Sequence, residues 1–255
     1  MKIASWNVNS IKVRLVQVLQ WLETENPDVL ALQELKCESQ LFPVEAIQKL
    51  GYTYSCVNGQ KTYNGVTIIS KDKINHIVTP DMDEQHRIIS AEINNINIIS
   101  VYMPNGESTD SPKYQYKLTW LNYFKQYLSE QVKKHKKIIV LGDFNIAPED
   151  QDVHDPLLWN EKVLCSTLER NAFQEMLQLG FIDSFRLFEQ PPKSYSWWDY
   201  RMLGFRRNAG LRIDHILISQ DLKNICQRSS IDKAPRKWER PSDHAPVIVE
   251  IMSKN

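Results

Sequence analysis

A layered α/β domain, with helices packed on strands buried on both faces, is the fold class the sequence predicts, on two observations. Eight apolar runs of strand length recur along the 255 residues, and three longer segments among them carry apolar residues at helical spacing. The runs are residues 3–6, 29–32, 66–69, 88–93, 96–102, 138–141, 213–218 and 247–251.

The first helix is expected over residues 12–25, where Val13, Val16, Leu19 and Leu22 share a face and Asn26-Pro27 supplies a stop. Residues 113–134 and 170–179 read the same way. No Gly/Ser linker, low-complexity stretch or short repeat interrupts the chain, so one domain over residues 1–255 is expected.

Composition narrows the setting. The four cysteines (Cys37, Cys56, Cys165, Cys226) are scattered without a CxxC pair, which argues for free thiols and against zinc. No apolar stretch approaches the ~20 residues of a membrane span, and the first residues run straight into a strand pattern. A cytoplasmic, monomeric protein without a membrane partner is expected. Formal net charge is zero, from 31 basic and 31 acidic residues. Between Arg201 and Arg240, however, ten Lys/Arg stand against four Asp/Glu, a local excess suited to phosphate groups.

Polar residues at the ends of the apolar runs carry the chemistry. Asn7 and Glu34 end the first two, Tyr102 ends the fifth, and the sixth runs into Gly142-Asp143-Phe144-Asn145. If the sheets align these ends, the side chains gather along one edge, where loops of α/β folds commonly bind ligands. Each also has a plainer reading. Glu34 could cap its strand or pair with Lys36, Tyr102 could be a strand aromatic, and Asp143 with Asn145 could form a local turn. Asp214 interrupts an otherwise apolar strand, and a half-buried carboxylate there needs a partner from elsewhere. Asp243-His244, set between Pro241 and Pro246, is ambiguous alone. Taken together, several carboxylates, side-chain amides, a tyrosine and a histidine suit Mg²⁺-assisted attack of water on a phosphate ester. There is no Walker loop, GxGxxG or GxSxG, which excludes the usual kinases, dehydrogenases and serine hydrolases.

The ordered set SWNVNSI, LALQELK, VYMPNG, GDFNIAP, GLRIDHIL and PSDHAPV, with SWWDYR, resembles the exonuclease III family of abasic-site endonucleases, within the DNase I-like endonuclease/exonuclease/phosphatase superfamily. The likeness spans nearly the whole chain. It implies a four-layered α/β sandwich, two mixed sheets face to face with helices outside, and a site at one end. It also implies Mg²⁺, with Mn²⁺ as a substitute, and a substrate of double-stranded DNA bearing abasic sites or blocked 3′ ends. Carried over by residue, Glu34 would hold the metal with Asn7 and Asp243 assisting. Asp143 would position or deprotonate the attacking water, helped by Asn145. Tyr102 would contact the phosphate, and His244 would bind or protonate a phosphate oxygen with Asp214 behind its ring. Asn105 falls in the same region. Trp197, Leu211 and Ile213 would form a pocket for a base-less sugar, and Arg201, Arg206, Arg207 and Arg212 would grip phosphates. Leu211, where relatives carry tryptophan, and His215 depart from the family pattern.

Overall fold

A computed structural model of the chain describes residues 1–82 and 84–252. Twelve strands form two six-stranded sheets among these residues. In chain order the elements are β1 (Lys2–Asn7), α1 (Ile11–Glu25), β2 (Val29–Gln33), α2 (Val44–Gln48), β3 (Tyr54–Asn58), β4 (Val66–Ser70), β5 (Asn75–Val78), β6 (Ile88–Ile93) and β7 (Ile96–Tyr102). There follow α3 (Pro112–Lys134), β8 (Ile138–Asp143), α4 (Pro156–Trp159), α5 (Thr167–Gln178), β9 (Phe181–Asp183), β10 (Asp214–Ser219), α6 (Gln220–Lys223), β11 (Cys226–Ile231) and β12 (Val247–Ile251).

The first sheet runs β11-β12-β1-β2-β4-β3 and the second β5-β6-β7-β8-β10-β9. Each is built around one parallel pair, β1 with β2 and β7 with β8, flanked by antiparallel neighbours. A helix makes each parallel crossover, α1 in the first sheet and α3 in the second, as parallel pairing requires.

The alternation of side chains along each central strand sends apolar residues to both faces. One set (Ile3, Val29, Ala31 and Ile68 with Ile89, Ile98, Ile139 and Ile216) fills the space between the sheets. Trp6, Leu30 and Leu32 turn outward to meet Trp21 and Leu22 of α1. Val140 and Ile99 turn outward to meet Trp120, Phe124 and Leu128 of α3 and Phe173 of α5. The result is helix, sheet, sheet and helix in four layers, as the resemblance implies.

Local chemistry sets the helix bounds. Asn26 takes the left-handed conformation (φ 48°) and its N–H donates to the Leu22 carbonyl, which stops α1 before Pro27. Ser111 caps α3, with Pro112 in the first turn. Ser166 and Glu169 form a capping box at the start of α5.

Gly142 sits in β8 opposite Val101 at φ 148°. A Cβ there would lie 1.9 Å from the Val101 carbonyl oxygen, so the two parallel strands close only over glycine. Gly142→Ala is expected to cost ~3 kcal/mol or more, read as a large fall in the thermal unfolding midpoint.

Candidate active site

Strand register collects the polar strand ends. Asn7 pairs with Gln33 in the first sheet, one residue before Glu34. In the second, Tyr102 pairs with Asp143 and Asp143 with Asp214. All lie at the same end of the two sheets, and polar contacts join them across the gap. The Gln33 amide donates to the Ser100 hydroxyl at 3.3 Å. The Asn7 Nδ2 donates both to Glu34 Oε1 and to Asp143 Oδ2, each at 2.9 Å.

Glu34 leaves β2 in the left-handed region (φ 53°), so the chain turns sharply where the carboxylate is presented. Hydrogen bonds on both sides hold that turn. The N–H groups of Leu35 and Lys36 donate to the Gly65 and Asn64 carbonyls, and the Glu34 carbonyl accepts from Ser10 N–H. Lys36 Nζ stands 3.0 Å from Glu34 Oε2, the pairing that its place in the sequence allowed.

Asp143 is buried at the mouth of the inter-sheet core. Its Oδ1 accepts from the Asn145 N–H at 2.9 Å. Burial, with Asp214 nearby, pushes its carboxyl up to about 7, against the lowering pull of His244, Asn7 and the Asn145 N–H. Asn145 itself faces away: its side-chain amide donates to the Met103 carbonyl at 2.9 Å and accepts from Asn105 Nδ2 at 3.1 Å. It therefore shapes the loop, and only its backbone touches Asp143.

His244 is the residue the fold constrains most. Its Nδ1 lies 2.9 Å from Asp214 Oδ2, and its Nε2 points 3.7 Å from Asp143 Oδ2. The Trp6 indole N–H donates to the His244 carbonyl, and Ser196 Oγ donates to Asp214 Oδ2 at 2.7 Å. Burial alone would lower the imidazole, but Asp214 and then Asp143 raise it to about 10. The ring is thus an imidazolium at neutral pH, a hydrogen-bond donor and not a metal ligand.

Tyr102 is half-buried at the rim, with the Arg87 guanidinium 4.8 Å over its ring. Burial and the carboxylates of Glu34 and Asp143 hold its phenol protonated. Beside it opens a cleft of about 790 Å³, lined by Tyr102, Arg87, Asn105, Tyr63 and Lys113 among others.

Arg212 departs from its expected exposure, and the structure places the other expected residues as follows. Asn7 turns its amide nitrogen to the two acids, with its oxygen accepting from Asn9 N–H at 3.0 Å, so it bridges the carboxylates. Asp243 stands outside the cluster of potential ligands, which among the described residues comprises Glu34, Asp143 and His244. Its oxygens accept from Asn9 Nδ2 and Trp197 Nε1, and although burial opposes it, His244 and these donors keep its carboxyl below its usual range. Arg212 is 1% exposed and forms ion pairs with Asp152 at 2.6 Å and Asp183 at 2.8 Å, so it is a buried brace with no free face for DNA. Leu211 and Ile213 are 0% and 1% exposed in an apolar cluster. Trp197 is half-buried at the edge of that cluster. Arg206 and Arg207 are exposed and free of ion pairs among the described residues, whereas exposed Arg201 pairs with Asp199.

Other supports escaped the sequence. Lys117 of α3, fully buried, donates to the carbonyls of Asn105 (3.1 Å) and Asn145 (2.7 Å) and pairs with buried Glu169. The Arg236 guanidinium donates to the Ser242 carbonyl and lies over the Phe205 ring, which steadies the turn before His244. The capping-box pattern at Ser166 could have flagged Glu169; nothing local marks Lys117 or Arg236.

The Asp214 contact generates a test. Asp214→Asn removes the charge that stabilises the imidazolium while burial persists, so the His244 pKa should fall from about 10 toward or below 6.5. Asp243→Asn should lower it far less. NMR titration of the ring protons in both variants checks this, and the opposite ranking would reverse the pairing.

With this geometry in place, the relatives can be compared. The model of the Endonuclease/Exonuclease/phosphatase family matches residues 4–244. Exodeoxyribonuclease III of Haemophilus influenzae is 36% identical, covering 98% of this chain and 99% of its own. The 3′ phosphatase NExo from Neisseria, solved with a product DNA hairpin, is 43% identical with a TM-score of 0.96, covering 99% of this chain and 100% of its own. An AP endonuclease from Archaeoglobus fulgidus is 36% identical with a TM-score of 0.93, covering 98% of this chain and 99% of its own. This chain belongs to the Endonuclease/Exonuclease/phosphatase family.

Proposed function

We propose that the chain is a Mg²⁺-dependent DNA-repair phosphodiesterase that breaks P–O3′ bonds at abasic sites and at blocked or terminal 3′ ends, with Mn²⁺ able to substitute. The observation that carries this reading is the cluster of Glu34, Asp143 and His244, one side-chain oxygen or nitrogen from each lying within 4.8 Å of the others. This site offers a base, a cation and an acid suited to a metal, which is the equipment for a phosphate and water.

The donor set fits a hard cation. Glu34 is the accessible carboxylate, and a divalent cation there would compete with Lys36 Nζ for its Oε2. A Mg²⁺ ion that keeps most of its waters needs only one or two such carboxylates. When bound, it would neutralise phosphate charge and lower the cost of the extra charge that builds up at phosphorus.

The chain's own residues supply the rest. Asp143, held near 7 by burial, takes a proton from the attacking water, and Asn7 fixes the carboxylate for that role. The water oxygen bonds to phosphorus, the P–O3′ bond breaks, and the proton lost by water balances the 3′-hydroxyl that forms. The His244 imidazolium, oriented by Asp214, donates to a phosphate oxygen, and the protonated Tyr102 hydroxyl can donate to a second. Tyr102 and Asn105 line the open cleft beside the centre. Exposed Arg206 and Arg207 give the surface loop positive charge for the DNA backbone.

Homologues named for exodeoxyribonuclease, 3′ phosphatase and AP endonuclease activity support this reading. The direct test uses purified protein with duplexes carrying either an internal tetrahydrofuran residue or a 3′-phosphate. Mg²⁺ should support turnover of at least one, and EDTA should abolish it; turnover of neither at micromolar enzyme would sink the proposal. Glu34→Ala and His244→Ala should each lose about 10²–10³-fold in kcat/KM while DNA binding stays within about threefold. Wild-type cutting by either variant would point to a binding protein carrying a contaminating nuclease.

The pH profile follows from the two shifts. Asp143 must be deprotonated, so activity should fall about tenfold per pH unit below its pKa, which is about 7 without metal and lower beside a bound cation. His244 must stay protonated, so a second decline is expected as pH approaches 10.

A further inference from the structure

Lys36 is not an ordinary surface lysine. It follows Glu34 by two residues, and both take the left-handed backbone region at φ 53°. Leu35 between them is fully buried. Backbone hydrogen bonds pin the turn on both sides: the Leu35 and Lys36 N–H groups donate to Gly65 and Asn64, and the Glu34 and Leu35 carbonyls accept from Ser10 and Ile11. The two side chains therefore meet at a fixed place, with Lys36 Nζ 3.0 Å from Glu34 Oε2. An exposed ion pair on two free side chains contributes little. Here the carboxylate is also held by its other oxygen, because Asn7 Nδ2 donates to Oε1 at 2.9 Å.

The same ammonium has a second acceptor. Lys36 Nζ donates to Asn9 Oδ1 at 2.5 Å, and Asn9 Nδ2 donates onward to Asp243 Oδ1 at 2.9 Å. Asn9 is itself fixed: it sits at φ 45°, its N–H donates to Asn7 Oδ1, and its carbonyl accepts from Arg14. The Lys36 and Glu34 side chains are 29% and 17% exposed, so ions from solvent can reach the contact.

Charge gives this contact a purpose. Glu34 and Asp143 share a single amide donor, the Asn7 nitrogen. An ammonium on Glu34 offsets the repulsion between the two acids whenever no other cation is bound. A divalent ion at the same carboxylate meets the opposite effect, repulsion from an ammonium a few ångströms away, which water only partly screens.

We propose that Lys36 is a built-in competitor for the metal site: it occupies Glu34 Oε2 in the metal-free protein, yields it to a divalent ion, and so weakens metal affinity and keeps the ion exchangeable. This rests on the metal-dependent reading above, in which Glu34 holds the ion. On yielding, the ammonium keeps its bond to Asn9 Oδ1, and the Asp243 carboxylate lies one hydrogen bond further on. The positive charge therefore stays at the centre and is not expelled to solvent.

The test titrates Mn²⁺ into the whole chain without DNA, reads free Mn²⁺ by electron paramagnetic resonance, and repeats the titration with Mg²⁺ as competitor. Lys36→Met keeps the length of the side chain and removes its charge, so it should bind Mn²⁺ about tenfold more tightly than wild type. Lys36→Arg keeps the charge and should stay within about threefold of wild type. Unchanged or weaker binding by Lys36→Met would overturn the inference, as would Lys36→Arg binding as tightly as Lys36→Met. If Lys36→Met fails to fold, Lys36→Gln should tighten binding in the same direction, and an unchanged affinity there counts equally against the inference. Glu34→Gln separates this inference from the reading beneath it. Loss of most Mn²⁺ binding in that variant supports an ion at Glu34. Wild-type affinity in Glu34→Gln, or no Mn²⁺ binding by wild type, removes the metal-dependent reading itself, and the inference with it.

Discussion

The amide nitrogen of Asn7 donates to Glu34 in its own sheet and to Asp143 in the facing sheet, and the active centre depends on that double contact. Two carboxylates this close repel each other unless a donor or a cation stands between them. The bridge also fixes the spacing of the two sheets at the end where their loops carry chemistry. Gln33 and Ser100 continue the polar seam one layer deeper, so the sandwich is stapled by hydrogen bonds at its functional end and by apolar packing elsewhere.

Around that seam, opposite environments give neighbouring groups different protonation. Asp143 is pushed up by burial, while His244, equally buried, is carried up by the acids on either side of it. One becomes a base that can work near neutrality and the other a cation at neutral pH. Both groups are shifted upward, and the gap left between them lets one cavity hold a base and an acid together. Asp214 achieves this at little cost, because Ser196 and His244 satisfy its oxygens inside the protein.

The eight apolar runs read from the sequence all became strands, the seventh of them starting one residue later, at Asp214. The four strands that sequence reading missed, β3, β5, β9 and β11, are the edges of the two sheets. Three of them, β3, β5 and β11, are largely exposed or half-exposed, which leaves no continuous apolar run to see, and β9 is only three residues long. The site was legible where a polar residue ends an apolar run, as at Glu34, Asp143 and Tyr102. It was not legible where function depends on direction or burial. Arg212 counted as surface charge in the composition and proved to be a sealed brace. The Asn7 side chain faces the acids through nitrogen, a direction that sequence does not carry. Lys117 looked like one of many helical lysines until the fold closed over it.

Glu169 shows how far the consequences of such closure reach. Its carboxylate caps the first turn of α5 through Ser166, accepts the Leu164 N–H and pairs with Lys117, which grips the carbonyls of Asn105 and Asn145. Fraying of that first turn, ordinarily the cheapest motion of a helix, would here strand a buried ammonium and release two loops at once. The start of α5 is therefore tied to the loops around Asn105 and Asn145 as one unit.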